Sequence, residues 1–530
     1  MELQGHEPNE DTFSAAPGRG DRSAAIWIFV FLFCVYALSA GGHVYSTDEE
    51  AMYAVTSSLI GTGQPFVEID ASNDGHVRPA VTVGRDGNLA VFASWGQSLL
   101  GLPLYSLGSA TALAVGDPHD EMVRRIFTGW TGAAATAAGA AIFFLLARLV
   151  GADRRGAFVL TLVYALATFA FPHAKTFFSE PMTTTLLLSS WYFALKDQGD
   201  RRRLILSGVL AGASLLWRPS TVVMIPPIAI WLVIQAARRG DALRRRGLTA
   251  LAPLVWFGVG AAIPLIFLAT SNWWRFGSAI SFGYPKPSFA LEGLPKGLFG
   301  LFLSPGKSLF LFAPVAIAGV LALFRIRNHR AQLLLMFTSA MVSALLFGAY
   351  TDWHGDHTWG PRYLVMSLPL MILGLAQLMD ARRWRQGVIG LGILGFMISS
   401  LGVIINFNSY FVRAADQLPR GYQEGTDDLI YWRYTHFDPY WSQVTGHARL
   451  IPSTLKSTAL DMLEPRMGPF PSAPDDIYDW YLGAPLEADS WVVWLRQARG
   501  PKWLALLALV FVTGGLFAYR MAWRAVKESR

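Results

Sequence analysis

The chain has almost no cysteine and little charge: one cysteine in 530 residues, and 15% Asp, Glu, Lys and Arg against 53% hydrophobic residues. The lone Cys34 excludes a disulfide within the chain, so cysteine usage does not reveal the redox compartment. The scarcity of charge excludes a soluble domain of this size, which would need more charge to cover its surface. No polar linker divides the chain, which argues for one membrane domain with loop elaborations. A nucleic-acid partner is not indicated either. The formal net charge of +7 sits mostly in short loops between apolar runs, the pattern of a topology signal. Arg outnumbers Lys, and Ala and Gly are plentiful, as in GC-rich bacterial genes.

What the chain does have is apolar runs of roughly 17–23 residues, the length a helix needs to cross ~30 Å of hydrocarbon. They predict an all-α polytopic membrane protein with about twelve transmembrane helices. The spans lie near 24–41, 127–148, 156–172, 180–195, 203–217, 220–236, 248–270, 308–324, 331–349, 363–379, 386–406 and 502–519. Residues 1–23 read as a disordered cytoplasmic lead.

Basic residues mark every second connection. Arg148, Arg154 and Arg155 follow the second span, and Lys196 and Arg201 to Arg203 the fourth. Arg238, Arg239 and Arg244 to Arg246 follow the sixth, Arg325, Arg327 and Arg330 the eighth, and Arg382, Arg383 and Arg385 the tenth. Arg19 and Arg22 precede the first span, and Arg520, Arg524, Lys527 and Arg530 follow the last. This bias places both termini in the cytoplasm and the long loops 42–126 and 407–501 outside. A competing reading takes Arg22, the first apolar run and Ala37-Leu38-Ser39 as a cleaved signal peptide. The long, partly acidic lead and the even span count favour a retained helix.

Thr47-Asp48-Glu49-Glu50 places three acids just beyond the first span, ahead of a short helical stretch at 50–60 that includes Tyr53. A carboxylate there can act as general base towards a hydroxyl arriving from water. The same residues also fit an N-cap cluster, since acids favour a helix start. Glu180, in Ser179-Glu180-Pro181 at the outer end of the fourth span, carries the same two readings, with His173 and Lys175 nearby.

Three outer cations, Arg218, Lys307 and Arg362, run against the positive-inside bias. They could converge on a phosphate, or anchor the membrane surface as snorkelling side chains. Gly306-Lys307-Ser308 is not a P-loop: five residues separate Gly300 from Gly306 where four are needed, and no strand precedes. His354, Asp356 and His357 are candidate metal ligands, but three so close in an extended loop are more often not a site, and no metal or other cofactor is predicted. Trp353 and Trp359 suit either an interfacial belt or a sugar-stacking platform.

In order and placement these pieces resemble the GT-C superfamily of membrane glycosyltransferases, among them the protein O-mannosyltransferases and lipid A aminoarabinose transferases. The resemblance spans about 24–406. It rests on the acidic motif, the long first outer loop and Glu180. It rests also on Phe92 to Ser98, Arg218-Pro219, Asn272 to Tyr284, Ser304 to Lys307 and Trp359 to Arg362.

The resemblance implies transfer of a sugar from a polyprenyl-phosphate carrier to an extracytoplasmic acceptor, at the outer face of a bacterial inner membrane and among its lipids. It puts Asp48 at the catalytic position, with Glu49 and Glu180 as accessory acids. Lys307, Arg362 and Arg218 would face the donor phosphate, and Tyr53, His173, Lys175, Trp353, His354 and Trp359 the substrates. Two regions depart from the family. Short alternating stretches at 64–70 and 79–83 suggest a small hairpin in the first loop. The 407–501 segment has no aligned counterpart; its Trp432, Trp441, Trp480, Trp491 and Trp494, with Pro439, Pro452, Pro465, Pro471 and Pro474, read as an ordered cap with short helices such as 453–463. The competing function is a multi-helix transporter or lipid flippase. Such proteins carry ionisable or broken-helix sites near the bilayer midplane, whereas these spans are nearly free of charge.

Overall fold

The computed structural model of the protein describes residues 18–67, 81–92, 95–115, 119–197, 199–238, 251–283, 289–419, 430–464, 487–500 and 502–527. Outside the described residues lie residues 1–17, 68–70, 79–80, Ala93, Ser94, Arg239, Arg244 to Arg246, Tyr284, Pro465, Pro471, Pro474, Trp480 and Arg530, on which parts of the sequence reading fell.

The protein is all-α and polytopic, with one small hairpin. α1 (Arg19–Ser39) leads into α2 (Thr47–Gly61), the antiparallel pair β1 (Val81–Val83) and β2 (Leu89–Val91), and α3 (Trp95–Ala112). Then come α4 (Asp120–Leu149), α5 (Arg154–Leu166), α6 (Ala170–Ala174), α7 (Glu180–Leu195), α8 (Arg201–Trp217), α9 (Pro226–Arg238) and α10 (Ala252–Phe276). α11 (Leu294–Leu303), α12 (Leu309–Phe312), α13 (Val315–Ala322), α14 (Arg330–Gly348), α15 (Leu368–Ile372) and α16 (Arg382–Ile404) follow. The second long loop supplies α17 (Phe407–Gln417), α18 (Ile430–Phe437), α19 (Gln443–Leu463) and α20 (Trp491–Gln497), before the terminal α21 (Leu506–Lys527).

Among the described residues, seven helical runs are long and apolar enough to cross a membrane: α1, α4, Pro219–Arg238, α10, α14, α16 and Lys502–Lys527. The other five expected spans are helical but shorter or broken. α12 and α13 are separated at Pro314, whose ring disfavours helix in the preceding Ala313. The 362–378 run alternates between 3₁₀ and α turns around Pro369 and is almost wholly buried. Irregular backbone at membrane depth is tolerated where protein surrounds it.

Three differences from the sequence reading have physical causes. Residues 19–23, expected in a disordered lead, form the first turn of α1, because Asp21 accepts from the Arg148 and Arg154 guanidiniums at 2.9 and 2.7 Å. α3 was not anticipated; its glycines let it lie close against neighbours, Gly96 on Trp217 and Gly101 on Phe177. The hairpin pairs Val81 with Val91, and from the 64–70 stretch Phe66 bridges to Ala90 while the Val67 amide donates to the Leu89 carbonyl at 3.1 Å.

α8 and α10 cross through small residues. A Cβ on Gly208 would fall 1.9 Å from the Phe257 carbonyl oxygen, and one on Gly260 2.1 Å from that of Ile205. Membrane helices associate through such contacts because lipid supplies no hydrophobic drive between them. Gly208→Val and Gly260→Val should therefore each cost at least about 1–3 kcal/mol by overpacking. The check is thermal unfolding in detergent; an unchanged midpoint in both would show that the crossing is not close.

Candidate functional site

Successive helix residues point about 100° apart, so the three acids opening α2 are sent in different directions. Glu50 is taken by Arg125 of α4, whose guanidinium donates to both its oxygens at 2.7 Å. Arg125 also donates to Glu121 at 2.9 Å, and the Tyr53 hydroxyl donates to the same Glu121 oxygen at 2.8 Å. Glu49 is fully buried and accepts from the Tyr45 amide at 2.9 Å. Asp48 alone reaches outward, its side chain 38% exposed, and accepts from Arg362 Nη2 at 3.1 Å. The N-cap role goes instead to Ser46, whose side chain accepts from the Glu49 amide.

Arg362 links Asp48 to the second acid. Its Nε lies 3.2 Å from Glu180 Oε1, and Arg218 Nη1 donates to that same oxygen at 2.5 Å. Asp48, Arg362, Glu180 and Arg218 thus form one chain of alternating charge. Glu180 opens α7, and Ser179 before it makes no side-chain cap. Arg218 ends α8, held extended by Pro219 behind it. Arg362 follows Gly360, whose φ of 62° suits glycine and whose Cβ would strike Phe312. The Tyr363 ring, stacked on Phe347, lies beneath both guanidiniums, and Phe178 faces Arg362 at 4.5 Å. Glu180 Oε2, Arg218 Nε and His173 Nδ1 are buried with no hydrogen-bond partner among the described residues.

The other expected site residues are placed differently. Lys175 is not free for substrate: its buried ammonium pairs with Asp489 Oδ2 at 2.5 Å and donates to the Val403 and Asp489 carbonyls. Lys307 is buried too, donating to the Asp356 and Thr358 carbonyls at 2.8 and 2.6 Å, so it braces the turn before Arg362 rather than opening onto Asp48. Tyr53 is covered by Arg125 and hydrogen-bonded to Glu121, which removes it from the Asp48 face. Trp353 packs into the gap at Gly300 and Trp359 into that at Gly402, so neither presents a stacking platform.

His173 lies against the Trp359 carbonyl at 3.1 Å; burial pushes it down to about 4, so it is neutral at pH 7. His354 is likewise pushed down by burial, to about 3, and its Nδ1 accepts from the Asp356 amide. His357 bonds Asn408 and Tyr431. No group of three or more His, Cys, Asp or Glu is placed to hold a metal among the described residues.

The sequence reading missed Asp489. Its carboxylate meets Lys175, His43 Nε2 at 2.7 Å, the Tyr45 hydroxyl at 2.8 Å and the Trp494 indole at 3.0 Å. No local pattern marks such a residue, since most of its partners are hundreds of positions away.

No family model matches the chain, and no curated protein matches it. Among solved structures it is similar to ArnT from Cupriavidus metallidurans, bound to undecaprenyl phosphate and in the apo state. Both share 14% identity over 88% of this chain and 84% of ArnT, at TM-scores of 0.41 and 0.43. It is also similar to the archaeal oligosaccharyltransferase AglB from Archaeoglobus fulgidus, in complex with an inhibitory peptide and a dolichol-phosphate. That match has 10% identity over 80% of this chain and 63% of AglB, at a TM-score of 0.41.

Burial pushes the Glu49 carboxyl up to about 8, against the opposing pull of backbone donors and Arg362. A raised folded-state value contributes stability that is full below about 4.5 and lost as pH rises through about 8. Glu49→Gln should therefore gain on the native protein as pH rises across that window, by up to about 1.4 kcal/mol per pH unit. Thermal unfolding from pH 5 to 9 reads this out; parallel curves for the two proteins would rule out a buried, protonated Glu49.

Proposed function

We propose that the protein transfers a sugar, with inversion, from a polyprenyl-phosphate-linked donor to a glycan, lipid or protein acceptor of the cell envelope. The observation that carries this reading is the Asp48–Arg362 contact: a half-exposed carboxylate beside a guanidinium that is itself paired to Glu180 and neighboured by Arg218. A base and two cations at one spot suit a reaction that removes a proton and releases an anion.

In this reading the acceptor hydroxyl attacks the anomeric carbon while its proton passes to Asp48. The bond from that carbon to the phosphate oxygen breaks, and the leaving lipid phosphate keeps the electron pair. Arg362 and Arg218 stabilise that developing charge. Glu180 holds both guanidiniums in place beforehand. No nucleotide leaves, so no divalent metal is assigned. The extracytoplasmic side follows from the positive-inside bias, and with it a multi-pass location in the inner membrane with both termini cytoplasmic.

Asp48→Asn should lower turnover on labelled polyprenyl-phosphate sugars, with envelope extract as acceptor, by on the order of 10²–10⁴. Glu50→Gln, which loosens the Arg125 pair, should lower stability and leave turnover per folded molecule near that of the native protein. Equal transfer by Asp48→Asn and native protein would remove Asp48 from the chemistry. No transfer by the native protein from any such donor would remove the reaction.

Arg362→Ala should lose donor use more than Arg218→Ala, since Arg362 bridges both acids. The check is donor KM and turnover for each variant, and the reverse order would contradict the assignment.

A further inference from the structure

We infer that Asp489, near the end of the second outer loop, is a positioning residue for Asp48, so that this loop is part of the reacting machinery rather than a cover over it. The inference rests on the proposed role of Asp48 and deepens it. The link between α1 and α2, residues 40–46, is short and carries Gly41 and Gly42, and the second loop holds it at several points. The Trp491 amide donates to the Ala40 carbonyl at 2.8 Å, and its indole to the Ala37 carbonyl at 2.9 Å. Gly42, at φ 77°, passes so close that a Cβ would meet Trp491 at 2.7 Å. Asp489 then takes the His43 ring and the Tyr45 hydroxyl on its two oxygens. Asn408 donates to the Tyr45 carbonyl at 2.9 Å, and Phe407 stacks on the Tyr45 ring. Finally the Tyr45 amide donates to Glu49 and Ser46 caps α2, one turn that contains Asp48.

Asp489 is fitted to hold this link. Its side chain is fully buried. Burial would raise its carboxyl, yet Lys175 and His43 hold it well below the usual range, so it stays a charged acceptor for four donors. Lys175 comes from the connection before α7, the helix that opens with Glu180. One carboxylate therefore joins the approach to Asp48 with the approach to Glu180. A misplacement of about 1 Å at a reacting group can cost about 100-fold, and this is the contact that sets the placement.

The experiment compares the full-length native protein with Asp489→Asn and Tyr45→Phe in detergent, and with Asp21→Asn as a control that loosens a carboxylate–cation cluster elsewhere. Asp21 sits at the opposite end of α1 and touches none of these groups. Hydrogen exchange over residues 40–50 and transfer kinetics are read together. Asp489→Asn should fold, exchange faster over 40–50, and lose turnover by about 100-fold with donor KM little changed. Asp21→Asn should keep its turnover. Turnover in Asp489→Asn equal to that of Asp21→Asn, or unchanged exchange over 40–50, would overturn the inference. If Asp489→Asn fails to fold, Tyr45→Phe, which removes one bond and no charge, takes its place, and the same two results would overturn the inference. If the native protein transfers no sugar, the proposed function fails by itself, and the exchange over 40–50 still decides whether Asp489 sets this link.

Discussion

The arrangement depends on one guanidinium that has to be paired. Arg362 is buried, and removing one partner of a buried charge pair costs several kcal/mol because the other is left uncompensated. Its partners come from the first turn of α2 and the start of α7, and Arg218 closes the chain from the end of α8. Those elements can meet only if the exit of α1 and the starts and ends of α7 and α8 lie at one level. The turn before Arg362 is fixed to match. Lys307 holds the carbonyls of Asp356 and Thr358, Gln443 accepts from the Gly360 amide, and Gly355, Asp356 and Gly360 all take positive φ. The irregular, buried 362–378 run beyond it is the consequence: regular helix gives way where the backbone must bring Arg362 to this point.

Elements with a local signature were legible in the sequence. Each of the twelve apolar runs coincides with helical structure, because length and hydropathy are properties of the run itself, although α4 begins before its expected span and the last helix runs past its own. Proline marked the turn at Arg218-Pro219, whereas the break at Ala313-Pro314 fell inside a run read as one span, 308–324. What was not legible is long-range partnering. Glu50 and Asp48 look alike in Thr47-Asp48-Glu49-Glu50, and only Arg125, 75 residues away, separates their roles. Lys175 looked available to a substrate beside Glu180, but its partner is Asp489, 314 positions away. α3 escaped because its run is interrupted by Gly101, Pro103 and Gly108; those glycines that weaken the helical signal are what let it pack on Phe177 and Arg124.

Aromatic residues misled for a related reason. A tryptophan in an outer loop suggests a sugar platform or a membrane belt, and Trp353 and Trp359 are in fact wedges. Each fills space opened by a glycine on a neighbouring helix, Gly300 and Gly402. The ring cannot be both the wedge and the exposed face. What remains beside Asp48 is charge rather than aromatic surface, with Phe178 and Tyr363 lining the guanidiniums from below.

Where the charges lie also weighs the enzyme reading against transport. Buried ionic groups cluster at the two ends of the helices: Asp21 with Arg148 and Arg154 at one, and the Asp48 and Asp489 groups at the other. A carrier that alternates access needs its polar site where both sides can reach it, near the middle of the spans. Here the only half-exposed acid of its cluster, Asp48, sits in the first turn of α2, just beyond the end of α1, and its neighbours are cations held by a second acid. Holding cations with an acid before any substrate arrives is costly unless an anion is to form there, because each guanidinium could otherwise be replaced by an apolar side chain. That cost is the argument for a reaction in which charge appears on a leaving group, and it favours transfer over passage.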